Sequence, residues 1–230
     1  MPRRKNPNAS GDLTQTAYVG IRQMLFHNDL VPGQKVPFKE LAEEMGMSVT
    51  PFIQALKFLE FQGIVRREPN KGYFIEPLSL SEIKELYNFR LLLESSLLER
   101  AIENLDKQGE EKLKESHQQY MNALEGMFMN KKLVADMNFH LTIAELSGQS
   151  LQKRALQNVF DILHLKYQIS LRYVTGSKSN ENDHGNILNA ILERDTKLAK
   201  KLLEQHIQSS GKHSSDNVSR MIEEKAGIQF

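Results

Sequence analysis

Lys39-Glu40-Leu41-Ala42-Glu43-Glu44-Met45-Gly46-Met47-Ser48-Val49-Thr50-Pro51-Phe52 decides the fold of the first third of the chain. Leu41 and Ala42 form the inward side of a short helix, Lys39 to Met45, and Gly46 is its stop, because glycine takes the left-handed conformation that ends helices. Ser48 is placed as the N-cap of the next helix, with Pro51 in the first turn, where a missing N–H costs nothing. Phe52, Ala55, Leu56 and Leu59 then line one face up to Gly63. Two helices joined by so short a turn form a helix-turn-helix, whose second helix enters the major groove of DNA.

The flanks complete that unit. Tyr18, Ile21 and Leu25 recur at helical spacing, which predicts an earlier helix from about Thr14 to Asn28, broken by Pro32-Gly33. After Gly63, Ile64-Val65-Arg66-Arg67 and Tyr73-Phe74-Ile75 flank Pro69-Asn70-Lys71-Gly72, a β-hairpin with cations near its tip. In this position the hairpin is a wing, and Lys71 is well placed for a phosphate.

Asp29-Leu30-Val31-Pro32-Gly33, Leu41 through Ser48, Thr50-Pro51, Ala55-Leu56, Leu59-Glu60, Gly63-Ile64-Val65 and Asn70-Lys71-Gly72 closely resemble, in order and spacing, the DNA-binding domain of the GntR family of transcription regulators. The resemblance spans about residues 14–76 and implies a winged helix-turn-helix that binds a double-stranded DNA operator. The chain departs from the family in the reading helix. Val49 and Ile53 stand where the family usually has arginine, and Gln54 where it usually has glutamate. Arginines there would anchor phosphates and guanines. Without them, the DNA contacts fall to Lys39, Thr50, Gln54, Lys57, Arg66, Arg67 and Lys71, and the operator sequence does not carry over from the family.

Bulk properties are compatible with this and exclude other classes. The 230 residues are 40% hydrophobic and 26% charged, as in ordinary soluble domains. Net charge is only +1, and residues 1–78 hold ten Lys/Arg against eight Asp/Glu, so DNA binding rests on local placement and not on overall charge. No apolar run is long enough for a membrane span, and MPRRKNPNAS lacks the apolar stretch of a signal peptide, which gives a cytoplasmic expectation. There is no cysteine, so any metal must be held by His, Asp or Glu.

Beyond Pro77 the chain is helical. Ser79-Leu80-Ser81-Glu82 matches a capping box. Helical periodicity covers residues 81–105, 109–129, 131–147, 151–173, 181–193 and 196–220, with no β pattern after Ile75. The natural packing is an antiparallel all-α bundle of six or seven helices. The expected organisation is a flexible arm at 1–13, a winged helix at 14–76, a helical metal- and effector-binding domain at 77–220, and a tail at 221–230.

Four residues in the bundle can meet. Asp136 and His140 share a helix face at i and i+4. From His184 the chain climbs to Arg194-Asp195 and descends to His206, and the two legs nearly cancel at about 1.5 Å per residue. Three imidazoles and a carboxylate suit Zn²⁺, Ni²⁺, Mn²⁺ or Fe²⁺. Spacing alone leaves the bland alternative open, since Asp-x-x-x-His pairs also form surface hydrogen bonds, and His184 and His206 sit beside polar neighbours. His27, His117, His164 and His213 have no matching constellation.

Pro77-Leu78-Ser79, Glu85-Leu86-Tyr87, Arg90, Glu94, Asp136-Met137-Asn138-Phe139-His140, Ser147-Gly148, His184, Ile187, Ala190-Ile191 and His206-Ile207 resemble the FCD sensor domain of the FadR-like branch of the same family, over about residues 77–215. Gln149, where asparagine usually follows Ser-Gly, departs from the pattern in a turn. The resemblance implies a divalent metal, zinc or nickel first, on Asp136, His140, His184 and His206, with open positions for a small organic acid. Arg90, in the apolar stripe Ile83, Leu86, Leu93 and Leu97, needs a charge partner. Either a ligand carboxylate or Glu94 one turn on would serve. Arg172 is a second, weaker effector candidate. The expected protein is a homodimeric transcription regulator and not an enzyme. The alternatives are a metal-dependent enzyme and a direct metal-ion sensor using the same site.

Overall fold

The computed structural model describes residues 7–125, 129–168 and 182–227, and the chain divides into two compact units, Met1–Leu78 and Ser79–Phe230. The first unit contains α1 (Pro7–His27), α2 (Phe38–Glu44), α3 (Val49–Phe61), β1 (Val65–Glu68) and β2 (Gly72–Ile75). Its core is the set that helical spacing brings inward: Ala17, Ile21 and Leu25 from α1, Ala42 from α2, and Phe52, Ala55, Leu56 and Leu59 from α3, all fully buried. Truncating Phe52 to Ala in such a core costs about 3–5 kcal/mol. Both helix stops act as expected, with Gly46 at φ 64° and Gly63 at φ 74° just past the ends of α2 and α3.

Three local features differ from the sequence expectation. α1 begins at Pro7, not near Thr14, because a proline is tolerated in a first helical turn although residues 8–12 carry no apolar period. Ser48 takes the extended N-cap conformation of α3 but its side chain makes no capping hydrogen bond. The wing is also wider than a hairpin. β1 and β2 pair antiparallel, Val65 opposite Ile75 and Glu68 opposite Gly72, and residues 34–36 pair along the open edge of β2. There the Val36 N–H donates to the Tyr73 carbonyl at 2.8 Å and the Ile75 N–H to the Gln34 carbonyl at 2.8 Å.

The second unit is an all-α bundle: α4 (Leu80–Glu103), α5 (Lys107–Glu125), α6 (Met129–Leu146), α7 (Ser150–Lys166), α8 (Asp183–Leu192) and α9 (Thr196–Gly227). Ile83, Leu97, Leu113, Phe139, Leu156, Phe160, Tyr167, Ile187, Ile191, Ala199 and Leu203 form its core. α4 and α9 approach closely at Gly211, where a Cβ would come within 2.9 Å of Tyr87 Cβ and Cγ. The Tyr87 hydroxyl shares a 2.9 Å hydrogen bond with Ser214 Oγ, so the same crossing is also pinned by a polar contact.

The capping box at the start of α4 closes by half. Ser79 Oγ accepts from the Glu82 N–H at 3.3 Å, but the Glu82 carboxylate turns to Lys166 and Tyr167, and the Ser79 N–H donates to the Tyr167 hydroxyl at 3.0 Å. Arg194, just past α8, holds a left-handed backbone at φ 57°. Its guanidinium donates to the carbonyls of Ile102 and Leu105 at 3.0 and 2.6 Å, a cation at the C-terminal end of α4 that offsets the backbone strain.

Candidate metal centre and nucleic-acid surface

α6 positions Asp136 and His140 one turn apart on its inner face, α8 places His184 in its first turn, and α9 brings His206 inward from its middle. Ligand atoms from all four residues lie within 4.8 Å of one another. His184 Nε2 is 3.2 Å from His140 Nε2 and 3.2 Å from Asp136 Oδ1, and His140 Nε2 is 3.9 Å from that oxygen. With metal–ligand bonds of about 2.0–2.2 Å, neighbouring donors sit about 3–3.5 Å apart and opposite donors about 4.2 Å. The separations of 3.2, 3.2 and 3.9 Å fall within that span, and the 4.8 Å limit for the whole group lies a little beyond it, so a bound ion would draw the donors together. The group also has the right chemistry: two imidazole nitrogens at 3.2 Å share at most one proton, and a cation between them removes the conflict.

Two of the imidazoles have a carboxylate beside Nδ1, the arrangement that usually orients a metal-bound histidine. His140 Nδ1 lies 2.5 Å from Glu94 Oε2, an ion-pair contact whose alignment falls short of a hydrogen bond, and His206 Nδ1 lies 3.4 Å from Asp183 Oδ2. Nδ1 of His184 is buried without a hydrogen-bond partner, the least supported of the three. Burial holds the His184 and His206 pKa values below the ordinary histidine value, so both rings are neutral and able to donate a lone pair. Burial alone would raise Asp136, but the hydrogen bond with His184 and the nearby Arg90 guanidinium keep its carboxyl far below the usual range.

Arg90 sits beside this group at the core side of α4, only 3% exposed. Its Nε donates to Glu94 Oε1 at 2.7 Å, and its guanidinium lies over the rings of Phe160 and Tyr87 at 4.5 and 5.3 Å. Burial pushes Glu94 up, but Arg90 and then His140 hold it down at about 2. The Glu94 partner is thus real, yet it satisfies only part of Arg90: Nη2 is buried with no acceptor. Arg172 lies outside the described residues. Glu145, a turn beyond His140, is engaged on the surface by Lys112 and Lys153.

Local pattern did not assign Glu94 and Asp183 as supports of His140 and His206. The available signals were the i, i+4 spacing of Arg90 and Glu94 and the adjacency of Asp183 to His184, but neither says which imidazole the carboxylate meets.

On the first unit, Lys39, Thr50, Gln54, Lys57, Arg67 and Lys71 are exposed. Arg66 is more constrained, paired with Glu68, 3.8 Å from Glu76, and stacked over Phe74 at 5.1 Å. Lys71 reaches Glu68 at 3.2 Å but remains 72% exposed. Lys39 and Lys71 line a recess of ≈ 670 Å³ together with Lys35, a cation that the sequence pattern does not single out.

Comparisons with known proteins agree with this architecture. The family model for bacterial regulatory proteins of the gntR family matches residues 13–75, and that for the FCD domain matches residues 85–209. The HTH-type transcriptional regulator YdhC of Bacillus subtilis (strain 168) is 22% identical over 211 residues, covering 90% of this chain and 91% of its own length. The Uxu operon transcriptional regulator of Escherichia coli (strain K12) is 27% identical over 213 residues, covering 82% and 81%. Among solved structures, E. coli McbR/YncC superposes with a TM-score of 0.72 at 22% identity, covering 85% of this chain and 93% of that one. A GntR transcriptional regulator from Rhodococcus sp. RHA1 gives 0.75 at 16% identity, covering 87% and 96%. Among the described residues no helix is long and apolar enough to cross a membrane. The chain belongs to the GntR family of DNA-binding transcription regulators, with a winged helix-turn-helix followed by an FCD domain.

Proposed function

We propose that this regulator changes its operator affinity in response to a small organic acid that binds at a divalent metal ion in the FCD domain. The observation that carries the reading is the convergence of Asp136, His140, His184 and His206 next to an arginine whose Nη2 is buried without an acceptor. A bound metal supplies a Lewis acid with positions left open for an oxygen donor. Asp136 and the three imidazoles hold the ion, Glu94 and Asp183 orient His140 and His206, and Arg90 Nη2 donates to the ligand carboxylate. A charge-assisted bond of this kind also satisfies a buried donor, so an acid gains more from it than a neutral molecule of the same shape. Zinc and nickel suit the nitrogen-rich donor set best, with manganese and iron also compatible.

The protein acts as a homodimer that sets two copies of α3 on two operator half-sites, and the acid biases the arrangement of the winged helices. Lys39, Thr50, Gln54, Lys57, Arg67 and Lys71 form the contact surface. Arg66 contributes once DNA phosphate displaces its half-buried carboxylate partners, Glu68 and Glu76.

The test is a thermal-shift series on the metal-loaded chain with citrate, malate and gluconate as probes, repeated after metal stripping and in Arg90→Gln. Stabilisation by at least one acid, lost in both controls, is expected. Stabilisation that persists without metal would overturn the reading.

A further inference from the structure

The solvent face of α3 has a composition that restricts what it can recognise. Thr50, Gln54 and Lys57 are exposed, and Val49 and Ile53 are half-buried, while Phe52, Ala55, Leu56 and Leu59 face the core. The thirteen residues of α3 contain no arginine, and Lys57 is their single cation. The side chains that pair bidentately with guanine O6 and N7 are thus absent from the start of this helix. In their place stand two branched apolar side chains, one turn apart. In the major groove, the apolar group offered by a base edge is the C5 methyl of thymine. Val49 and Ile53, about 6 Å apart as an i, i+4 pair, match the spacing of methyls about two base-pair steps apart at about 3.4 Å per step. Gln54 fits the same base pairs: the Thr14 hydroxyl donates to its Oε1 at 2.8 Å, which orients the amide, and an amide is the side chain that pairs with adenine N6 and N7.

We propose that Val49 and Ile53 read thymine methyl groups, so that the centre of each operator half-site contacted by α3 is built from A·T pairs and not from guanines. The inference rests on DNA binding through the winged helix and adds the residues that set its sequence preference.

The experiment has two stages. The metal-loaded full-length chain first selects its sites from duplexes with a randomised centre. Each thymine of the selected half-site is then replaced by uracil, which deletes the C5 methyl and leaves every hydrogen-bonding group in place. We expect A·T pairs at the contacted positions and about fourfold weaker binding for each contacted methyl removed, the value of burying one such group. In Val49→Ala and Ile53→Ala, checked for native helicity, the same uracil substitution should have no effect at the position that each side chain reads. A guanine-centred site, or equal affinity of the wild-type chain for thymine and uracil duplexes, would overturn the proposal and leave DNA binding standing. No enrichment of any duplex would overturn DNA binding itself, and the proposal with it.

Discussion

His140 Nδ1 lies 2.5 Å from Glu94 Oε2, and the other oxygen of that carboxylate accepts from Arg90 Nε at 2.7 Å. A candidate metal ligand and a candidate acid-binding cation therefore share one buried carboxylate. Glu94 thus links the Arg90 guanidinium to the His140 ring.

Glu94→Gln keeps the shape of that bridge and removes its charge. We expect metal affinity to fall about 10–100-fold, the usual consequence of weakening the outer support of a ligating histidine. Competition against a chelator of known affinity measures it, and an unchanged affinity would remove Glu94 from the support of the site.

Arg90→Lys should separate metal binding from acid binding. A lysine ammonium retains the charge but cannot present the planar fork of a guanidinium. Metal content should stay at the wild-type level while stabilisation by the acid probes is lost or strongly reduced. Loss of the metal together with the acid response would instead make Arg90 part of the metal site.

Much of this organisation was legible in the sequence, for identifiable reasons. Gly46 and Gly63 mark helix ends by a local backbone requirement, and the apolar spacing in α3 marks its buried face. Spacing put Asp136 and His140 on one helix face and returned His206 to the level of His184, but it was the resemblance to the FCD domain that implied the four as one ligand set. What stayed hidden depends on contacts that are remote in sequence. Glu82 fits a capping box locally, but Lys166 and Tyr167 claim its carboxylate from more than eighty residues away. Residues 34–36 join the wing through single pairings that have no periodic signature. The early start of α1 at Pro7 was missed because residues 8–12 show no apolar repeat.

Gly211→Ala tests the packing of the sensor bundle apart from its chemistry. The added Cβ would meet Tyr87 Cβ and Cγ at 2.9 Å, close to a helix backbone that has little room to yield. We expect a loss of about 1–3 kcal/mol of stability, the range for overpacking a well-filled interior. Urea denaturation reads this out, and a stability equal to wild type would show that α4 and α9 can separate freely.

Lys71→Ala addresses the wing. Lys71 is 72% exposed and its pair with Glu68 is a surface contact, so folding should change little. Affinity for DNA should fall by similar factors on different sequences, and the slope of log affinity against log salt should shrink by about one. An unchanged slope would place the wing tip away from the phosphates.

The most direct test of the account is the metal content of the purified chain, measured by elemental analysis beside His140→Ala/His206→Ala, with circular dichroism to verify that the bundle persists. Two of the four converging donors are removed in that variant. We predict one divalent ion per wild-type chain and none in the folded double variant; a folded double variant that retains a stoichiometric ion would contradict the assignment of the metal to Asp136, His140, His184 and His206.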